Sequence, residues 1–244
     1  INFMAGELKS TDKIKNDFIS SVSHELRTPL TAIKGWSETI KSAAGEDKEL
    51  VEKGMDVIMS ETERLSALVE EMLDLSRLQS GQMSFKMEKI DILAELAEAV
   101  IIYEESAKSS GKLLTYNEPS ELPLVMGDGN RLKQVFINIL DNALKYTDRG
   151  GEVEVSAEYS DGYIKIAFSD NGCGIPEAEL DKVKERFYKA SNSVRGSGVG
   201  LAVADEIIRK HNGLMAIESE EGKGTTVTIM LPAEPEKEET ESQG

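Results

Sequence analysis

Hydrophobic residues recur at three- and four-residue steps through the first third of the chain, which is the period of the α-helix. The apolar positions between residues 14 and 40 predict a first helix over about 8–43. Those between 51 and 78 follow the four-then-three alternation of a coiled-coil seam and predict a second helix. A short loop at 45–47 joins them, so we expect an antiparallel hairpin. A hairpin alone leaves apolar surface uncovered, and a second copy would cover it in a dimeric four-helix bundle.

Beyond Ser80-Gly81 the pattern changes to short alternating strands mixed with helices, typical of an α/β sandwich. The clearest strand pair flanks an Asp161-Gly162 turn, which is the chemistry of a two-residue hairpin. The fold class expected is therefore α+β. We expect strands at 85–90, 113–116, 124–126, 152–159, 163–169, 215–219 and 225–231, and helices at 92–109, 130–146 and 199–211. The expected domains are the helical hairpin at 1–80, the α/β domain at 81–232 and an acidic, disordered tail at 233–244.

Charge and cysteine content narrow the function classes. The chain has 28 basic and 45 acidic residues, a net charge of −17. A phosphate backbone would be repelled, so no nucleic-acid partner is expected. The single cysteine, Cys173, excludes an intramolecular disulfide and is compatible with a reducing compartment. The chain has no apolar run of the ~20 residues that span a bilayer, and it starts within a polar helical segment at Ile1, so we expect a soluble fragment of a longer protein.

The first helix carries the candidate nucleophile. Within Ser23-His24-Glu25-Leu26-Arg27-Thr28-Pro29-Leu30, His24 projects opposite the apolar arc and is expected to be exposed. A neutral imidazole has one protonated nitrogen and one free to attack. Glu25 can hold the protonated nitrogen, and Thr28, one turn on, can orient a water. The alternative for Thr28 is a hydrogen bond back to the carbonyl of His24. Pro29 loosens the helix.

Two motifs of the second region predict parts of a nucleotide site. Asn138, Asn142 and Lys145 lie at i, i+4 and i+7, so two amides and an ammonium share one helix face, which suits a Mg²⁺-triphosphate. Asp170-Asn-Gly172-Cys-Gly174 then ends a strand. Its carboxylate can accept from an exocyclic amine, and its glycines let the backbone pass close to a flat ring.

Two further motifs follow in the same region. Glu185-Arg-Phe187-Tyr-Lys189 supplies an aromatic anchor and a cation before a loop. After that loop, Gly196-Ser-Gly198-Val-Gly200 runs into a helix, where backbone amides and the positive helix end can hold phosphate.

The segment from Phe18 to Leu30 resembles the phosphoacceptor box of the sensor histidine kinases of two-component systems. The four motifs, in this order, resemble the N, G1, F and G2 boxes of the ATP-binding domain of that family, a relative of the gyrase, Hsp90 and MutL fold. The resemblance covers about Lys13 to Pro232. It implies autophosphorylation of His24 by ATP, transfer to an aspartate of a response regulator, regulator phosphatase activity through Thr28, and a homodimer. It also implies the cytoplasmic part of a protein that is membrane-anchored upstream.

The resemblance also assigns roles to the residues of the nucleotide site, which are the following. Asn138 and Asn142 would bind Mg²⁺; Lys145 and Lys189 would contact phosphates; Tyr146 would pack on the adenine; Asp170 would recognise its amine; Gly172 and Gly174 would line that pocket; Phe187 would anchor the lid; and Gly196, Gly198 and Gly200 would shape it.

Two other functions remain open at this stage. A conformational ATPase of the gyrase and Hsp90 type would need a water-activating glutamate at the position of Asn138, which cannot act as a base, although Asp141 is near. A non-catalytic dimeric scaffold would not need the nucleotide motifs. Two residues receive structural interpretations: His211 is expected to complement a helix dipole as a cation, and Cys173 to be a small residue that fits beside the adenine pocket.

Overall fold

The computed structural model describes residues 2–43, 47–184, 188 and 198–234, with side chains from residue 22 onward except at 75 and 79. The chain divides into two compact units, of which the first contains Ile1–Gly81 and the second begins at Gln82. No helix among the described residues has the length and apolarity to cross a membrane. The elements, in chain order, are α1 Asn2–Ser42, α2 Lys48–Gln79, β1 Glu88–Ile90, α3 Ile92–Ser109, β2 Leu113–Asn117, β3 Val125–Gly127, α4 Gly129–Tyr146, β4 Glu152–Ser160, β5 Tyr163–Asp170, α5 Glu177–Leu180, α6 Gly200–Lys210, β6 Leu214–Glu220 and β7 Gly224–Pro232.

Helices α1 and α2 form the predicted hairpin. Asp47 starts α2, because its side chain accepts a hydrogen bond from the N–H of Leu50 at 3.0 Å. The two helices approach closely at Gly54, where a Cβ would lie only 2.8 Å from atoms of Trp36 and Ile40. A glycine inside a helix is unfavourable on propensity alone, and here it makes room for the two large side chains of the facing helix.

A mixed sheet with the strand order β2-β4-β5-β7-β6 is the centre of the second unit. Strands β4 and β5 form the predicted hairpin, and Asp161 and Gly162 both have positive φ, 55° and 81°, as a turn of this kind requires. The inward-facing sheet residues pack against α4 and α6, with the rings of Phe136 and Phe168 6.0 Å apart. The two-layer α/β sandwich predicted from the alternation is confirmed.

His211 departs from the prediction of a cation that complements a helix dipole. The side chain is buried, and burial lowers its pKa. Its Nδ1 lies 2.7 Å from the carbonyl oxygen of Ile207, and its Nε2 accepts the N–H of Asp128 at 2.9 Å. Nε2 can accept only in the neutral ring, so Nδ1 carries the proton. His211 is therefore a neutral connector between α6 and the start of α4.

The first strand is shorter than predicted, because the residues before Glu88 make other contacts instead of strand-pairing hydrogen bonds. The alternation over 85–90 predicts six strand residues, but only Glu88–Ile90 pair with β3. The N–H of Lys86 instead donates to Asp128 Oδ2 at 2.9 Å, and the ring of Phe85 packs edge-on against His211. The first helix is longer than predicted, since it begins at Asn2.

Candidate functional site

One face of α4 presents the amides predicted to hold a metal. Asn142 Nδ2 donates to the backbone oxygen of Asn138 at 2.9 Å. The nitrogen and oxygen of an amide diverge from one carbon, so this bond engages Nδ2 of Asn142 and leaves its Oδ1 for another contact. A neutral amide oxygen in that position is a ligand type that Mg²⁺ accepts.

The same helix face meets the start of α6. Asn138 Nδ2 lies 3.4 Å from the carbonyl oxygen of Gly200, the first residue of α6. A Cβ at Gly200 would lie 3.7 Å from Asn138 Cγ, an ordinary contact distance. The first predicted motif therefore contacts the last residue of the fourth through Asn138, which lies beside the N-terminal end of α6.

Asp170 ends β5 with its carboxylate held by backbone donors. Its Oδ1 accepts from the N–H of Gly172 at 2.9 Å and from the N–H of Thr225 at 3.3 Å. Burial raises the pKa of Asp170, and these two hydrogen bonds oppose that effect. Among the residues that the structure describes, no donor reaches Oδ2. That oxygen is an acceptor available to an amine.

The loop after Asp170 lies against the end of α4. A Cβ at Gly172 would be 2.3 Å from the backbone oxygen of Tyr146, and one at Gly174 would be 2.1 Å from the oxygen of Glu220. Only glycine fits at either position. The N–H of Cys173 donates to the same Tyr146 oxygen at 3.1 Å. Tyr146 and the loop that follows Asp170 are thereby fixed side by side, as a base pocket would need.

Lys145 and Tyr146 are adjacent at the end of α4. The Lys145 Nζ lies 5.2 Å from the centre of the Tyr146 ring, within the range of a cation–π contact. Burial is the main cause of the raised pKa of Tyr146, so its hydroxyl stays protonated near neutral pH. A neutral ring and a lysine ammonium suit a base and a phosphate respectively.

Sequence reasoning missed the residues of β6 and β7 that hold this loop. Gly224 has φ of 118°, and a Cβ there would lie 1.9 Å from the backbone oxygen of Asp170. Its neighbour Thr225 donates to the Asp170 carboxylate. Ser219 Oγ accepts the N–H of Ile175 at 2.8 Å and contacts the Gly224 oxygen at 2.8 Å. The signal available in the sequence was the pair of glycines in Gly222-Lys-Gly224-Thr.

The predicted nucleophile is exposed on α1. His24 lies on the surface, as its position on the helical wheel predicts. Thr28 is half-buried, and its Oγ1 lies 3.3 Å from the backbone oxygen of His24. Pro29 lies inside α1 without ending it.

Glu25, beside the nucleophile, faces the other helix. Its Oε2 lies 3.1 Å from Nη2 of Arg64 on α2, and Nη1 of the same guanidinium lies 3.4 Å from Glu61 Oε2. The Glu25 side chain is only 11% exposed. No pattern in the sequence indicates this ion pair, which joins residues 39 positions apart.

Some predicted site residues fall outside the description. Phe187, Lys189 and Gly196 lie outside the described residues, as do residues 235–244 of the acidic tail predicted at 233–244. The tail prediction is wrong at Ala233 and Glu234, whose N–H groups donate to the backbone oxygens of Gly162 and Leu124 at 2.9 Å. Gly198 is described and has φ of 70°, a backbone conformation that favours glycine.

Two family models match the chain. Residues 14–81 match the His Kinase A (phospho-acceptor) domain. Residues 127–235 match the histidine kinase-, DNA gyrase B- and HSP90-like ATPase. His24 falls within the first match, and the residues of α4, of the loop after Asp170 and of the start of α6 fall within the second.

Two curated proteins are similar to nearly the whole chain. The sensor histidine kinase WalK of Bacillus subtilis strain 168 is 34% identical over 239 residues, which are 96% of this chain and 39% of that protein. The signal transduction histidine-protein kinase BaeS of Escherichia coli strain K12 is 32% identical over 237 residues, 96% of this chain and 50% of that protein. The chain thus spans half or less of the length of either relative.

A solved structure has the same fold. The histidine kinase ThkA, determined in complex with the response regulator protein TrrA, matches with a TM-score of 0.68 and 24% sequence identity. The match covers 94% of this chain and 65% of that one.

Proposed function

The chain belongs to the sensor histidine kinases, and we propose that it phosphorylates its own His24 with ATP and passes the phosphoryl group to an aspartate of a response regulator. The observation that carries this proposal is an exposed histidine, His24, in a phospho-acceptor domain that precedes a nucleotide-type site. In that site Asn138, Asn142 and the start of α6 lie together.

ATP fits the residues of the second unit. Oδ2 of Asp170, which no donor among the described residues reaches, is an acceptor for the exocyclic amine of adenine, and its fixed position gives selectivity for that donor. Tyr146 would pack on the ring, while Gly172 and Gly174 leave the space for it. Lys145, with Lys189 outside the described residues, would contact the phosphates, which the N-terminal end of α6 also favours.

Magnesium fits the amides of α4. We assign Asn142, whose Oδ1 is left for another contact, and Asn138 as its protein ligands. Two neutral amides leave most of the coordination sphere to water and phosphate oxygens, as is usual for this ion. When bound, Mg²⁺ offsets the charge of the triphosphate.

His24 acts as the nucleophile. Its free ring nitrogen forms a bond to the γ-phosphorus as the bond from that phosphorus to the ADP oxygen breaks. The proton on the other nitrogen is lost to Glu25, the nearest carboxylate in sequence. Because ATP is supplied in the cytoplasm, we infer that this part of the protein acts there.

We also infer a reverse activity and an assembly. Thr28 lies one turn from His24 and would align a water that hydrolyses the phosphoaspartate of the regulator. A second copy of the hairpin would cover apolar side chains that a single hairpin exposes, which among the described residues include Leu30, Met55, Met59, Val69 and Leu73.

A direct experiment is incubation of the purified chain with γ-labelled ATP and Mg²⁺. We expect label at His24, in a bond that is labile to acid and stable to base, as phosphohistidine is. His24→Gln should lose it. Undiminished labelling of His24→Gln would refute the assignment.

The conformational ATPase has less support. The position of its catalytic glutamate is held by Asn138, whose side chain contacts Gly200. Asp141, a carboxylate close to Asn138 in sequence, accepts a hydrogen bond of 3.4 Å from the hydroxyl of Tyr103 on α3. Neither observation favours water activation.

A further inference from the structure

The Glu25–Arg64 contact is a charged pair inside the hairpin. The two side chains are 11% and 34% exposed, so the pair is shielded from water and salt more than a surface pair is. Glu61 anchors the other guanidinium nitrogen from within α2. Arg64 is thereby held by two carboxylates, one on each helix.

This pair bears on the chemistry of His24. Consecutive residues on a helix project about 100° apart, so Glu25 and His24 do not face each other. Glu25 is turned toward α2, whereas His24 is on the exposed surface. A carboxylate that accepts from a guanidinium is also a weaker acceptor for a second donor. Glu25 is therefore a weaker acceptor for the proton of His24 while it is paired with Arg64.

We propose that Arg64 is a positioning residue that restrains Glu25 against α2 and so limits the reactivity of His24. The inference rests on the proposed function, since it concerns the rate of the same reaction. Small movements of one helix against the other would lengthen the 3.1 Å contact and release the carboxylate toward the imidazole. The hairpin would in this way regulate its own nucleophile.

The test compares Arg64→Gln with wild type in initial labelling rate at saturating Mg-ATP. We expect a rise of about tenfold, the factor that corresponds to ~1.4 kcal/mol of barrier. The double variant Arg64→Gln/Glu25→Gln should label no faster than Glu25→Gln alone, because the gain depends on the released carboxylate.

A second readout needs neither ATP nor the second unit. Carbethoxylation of His24 by diethylpyrocarbonate, followed by mass spectrometry, measures the nucleophilicity of the ring directly. Arg64→Gln should react faster than wild type, and Glu25→Gln should remove the difference. A merely structural role for Arg64 would not produce this dependence on Glu25.

Two matched variants act as controls. Arg64→Lys keeps a cation beside Glu25 and should stay near the wild-type rate. Glu61→Gln changes the other partner of the same guanidinium and should not raise the rate. If thermal unfolding shows that Arg64→Gln lacks a folded hairpin, Arg64→Met, which keeps an apolar stem of similar length, replaces it.

The outcomes separate the inference from the proposed function. No labelling of wild type would overturn the proposed function. Normal labelling of wild type with an unchanged or lower rate in Arg64→Gln would overturn the role of Arg64 alone. An equal gain with and without Glu25 would likewise overturn it, since loosening of the hairpin would then be the cause.

Discussion

Asp170 meets two opposing demands at the level of a single residue. Its charge is costly where it lies, since burial raises its pKa, yet recognition of an amine needs an acceptor. The backbone N–H groups of Gly172 and Thr225 reduce the cost by fixing Oδ1, and they leave Oδ2 to the ligand. A neutral substitute for Asp170 should therefore weaken ATP binding without lowering the stability of the fold.

We predict that Asp170→Asn lowers ATP affinity by about 100-fold, which corresponds to ~3 kcal/mol, the upper range for a hydrogen bond to a charged group. The amide oxygen can still accept from both N–H groups, but the amide nitrogen would oppose the adenine amine. Because the folded pKa of Asp170 is raised, its ionisation destabilises the fold as pH rises through that pKa. The variant should thus melt at or above the wild-type temperature at pH 7.

Calorimetry and thermal unfolding check this prediction. Asp170→Ala is the matched control, since it also removes the acceptor for both N–H groups and should melt lower than wild type. Unchanged ATP affinity in Asp170→Asn would mean that the base pocket lies elsewhere.

Thr28 differs from three other hydroxyl residues of α1 in the length of its hydrogen bond. Thr31, Ser37 and Thr39 return to the carbonyl four residues back at 2.7 to 2.9 Å, whereas Thr28 does so at 3.3 Å. The longer bond is weaker, so this hydroxyl can exchange the carbonyl for a water more easily.

We predict that Thr28→Ala keeps autophosphorylation of His24 within about twofold and lowers regulator phosphatase activity by about tenfold or more, the scale of losing one positioning contact. Thr31→Ala, which removes a tighter bond on a neighbouring position, should leave both activities unchanged. Release of phosphate from a phosphorylated regulator measures the effect. A parallel loss of both activities would assign Thr28 a structural role.

At the level of the elements, His211 links three parts of the second unit. It bonds to Ile207 of α6 and to Asp128 at the start of α4, and it packs against Phe85. Protonation would remove the acceptor for the Asp128 N–H and place a charge in a buried position. Burial disfavours the charged ring and therefore lowers the pKa of His211.

We predict that the second unit loses stability as pH falls below about 6.5, the ordinary histidine pKa. The unfolded chain binds a proton there and the folded one does not, so the free energy of unfolding rises with pH in this window. His211→Leu should cost ~1 to 3 kcal/mol at pH 7.5, because the Asp128 N–H is left unpaired, and it should flatten the pH dependence. Urea unfolding from pH 5 to 7.5 tests this.

The control uses the composition of the chain, which has two histidines. His24→Gln removes the exposed one, so a pH slope that persists in this variant leaves His211 as the responsible histidine. A slope that survives in His211→Leu would assign the pH dependence to other groups.

Local sequence signals sufficed where the determinants are local. Helix α3 spans the predicted residues because Asp91 caps it, accepting from the N–H of Leu93 at 3.0 Å. The Asp161-Gly162 turn likewise fixes the β4–β5 hairpin. The amide face of α4 follows from helical spacing alone.

Local sequence signals do not predict contacts between residues that are far apart in the chain. The tautomer of His211 depends on Asp128, 83 residues away, and the Asp170 carboxylate is fixed partly by Thr225, 55 residues away. Neither neighbour leaves a periodic trace in the sequence. The turn of Glu25 toward Arg64 depends in the same way on how α1 packs on α2.

At the level of the whole molecule, a single hairpin is an incomplete structure. Helix α2 presents Val69 and Leu73 at 47% and 43% exposure, and α1 presents Leu30 at 55%. These are large apolar side chains on long helices with a heptad seam, and burial of each gains roughly 1 kcal/mol or more. The chain has a net charge of −17, so two copies repel each other. The burial of these apolar side chains would have to outweigh that repulsion for a dimer to form.

We predict a dimer at micromolar concentration and a monomer for a doubly charged variant of α2. The heptad pattern alone would choose Leu65 and Val69, but Leu65 is half-buried within one hairpin, so its replacement would also disturb the fold. Val69→Glu/Leu73→Glu is the sharper change, because both side chains face outward. Leu113→Glu/Leu214→Glu, which changes two leucines of the second unit that are more exposed than Val69 and Leu73, should remain dimeric. Sedimentation equilibrium decides between these outcomes, and a well-folded wild-type monomer would contradict the four-helix bundle.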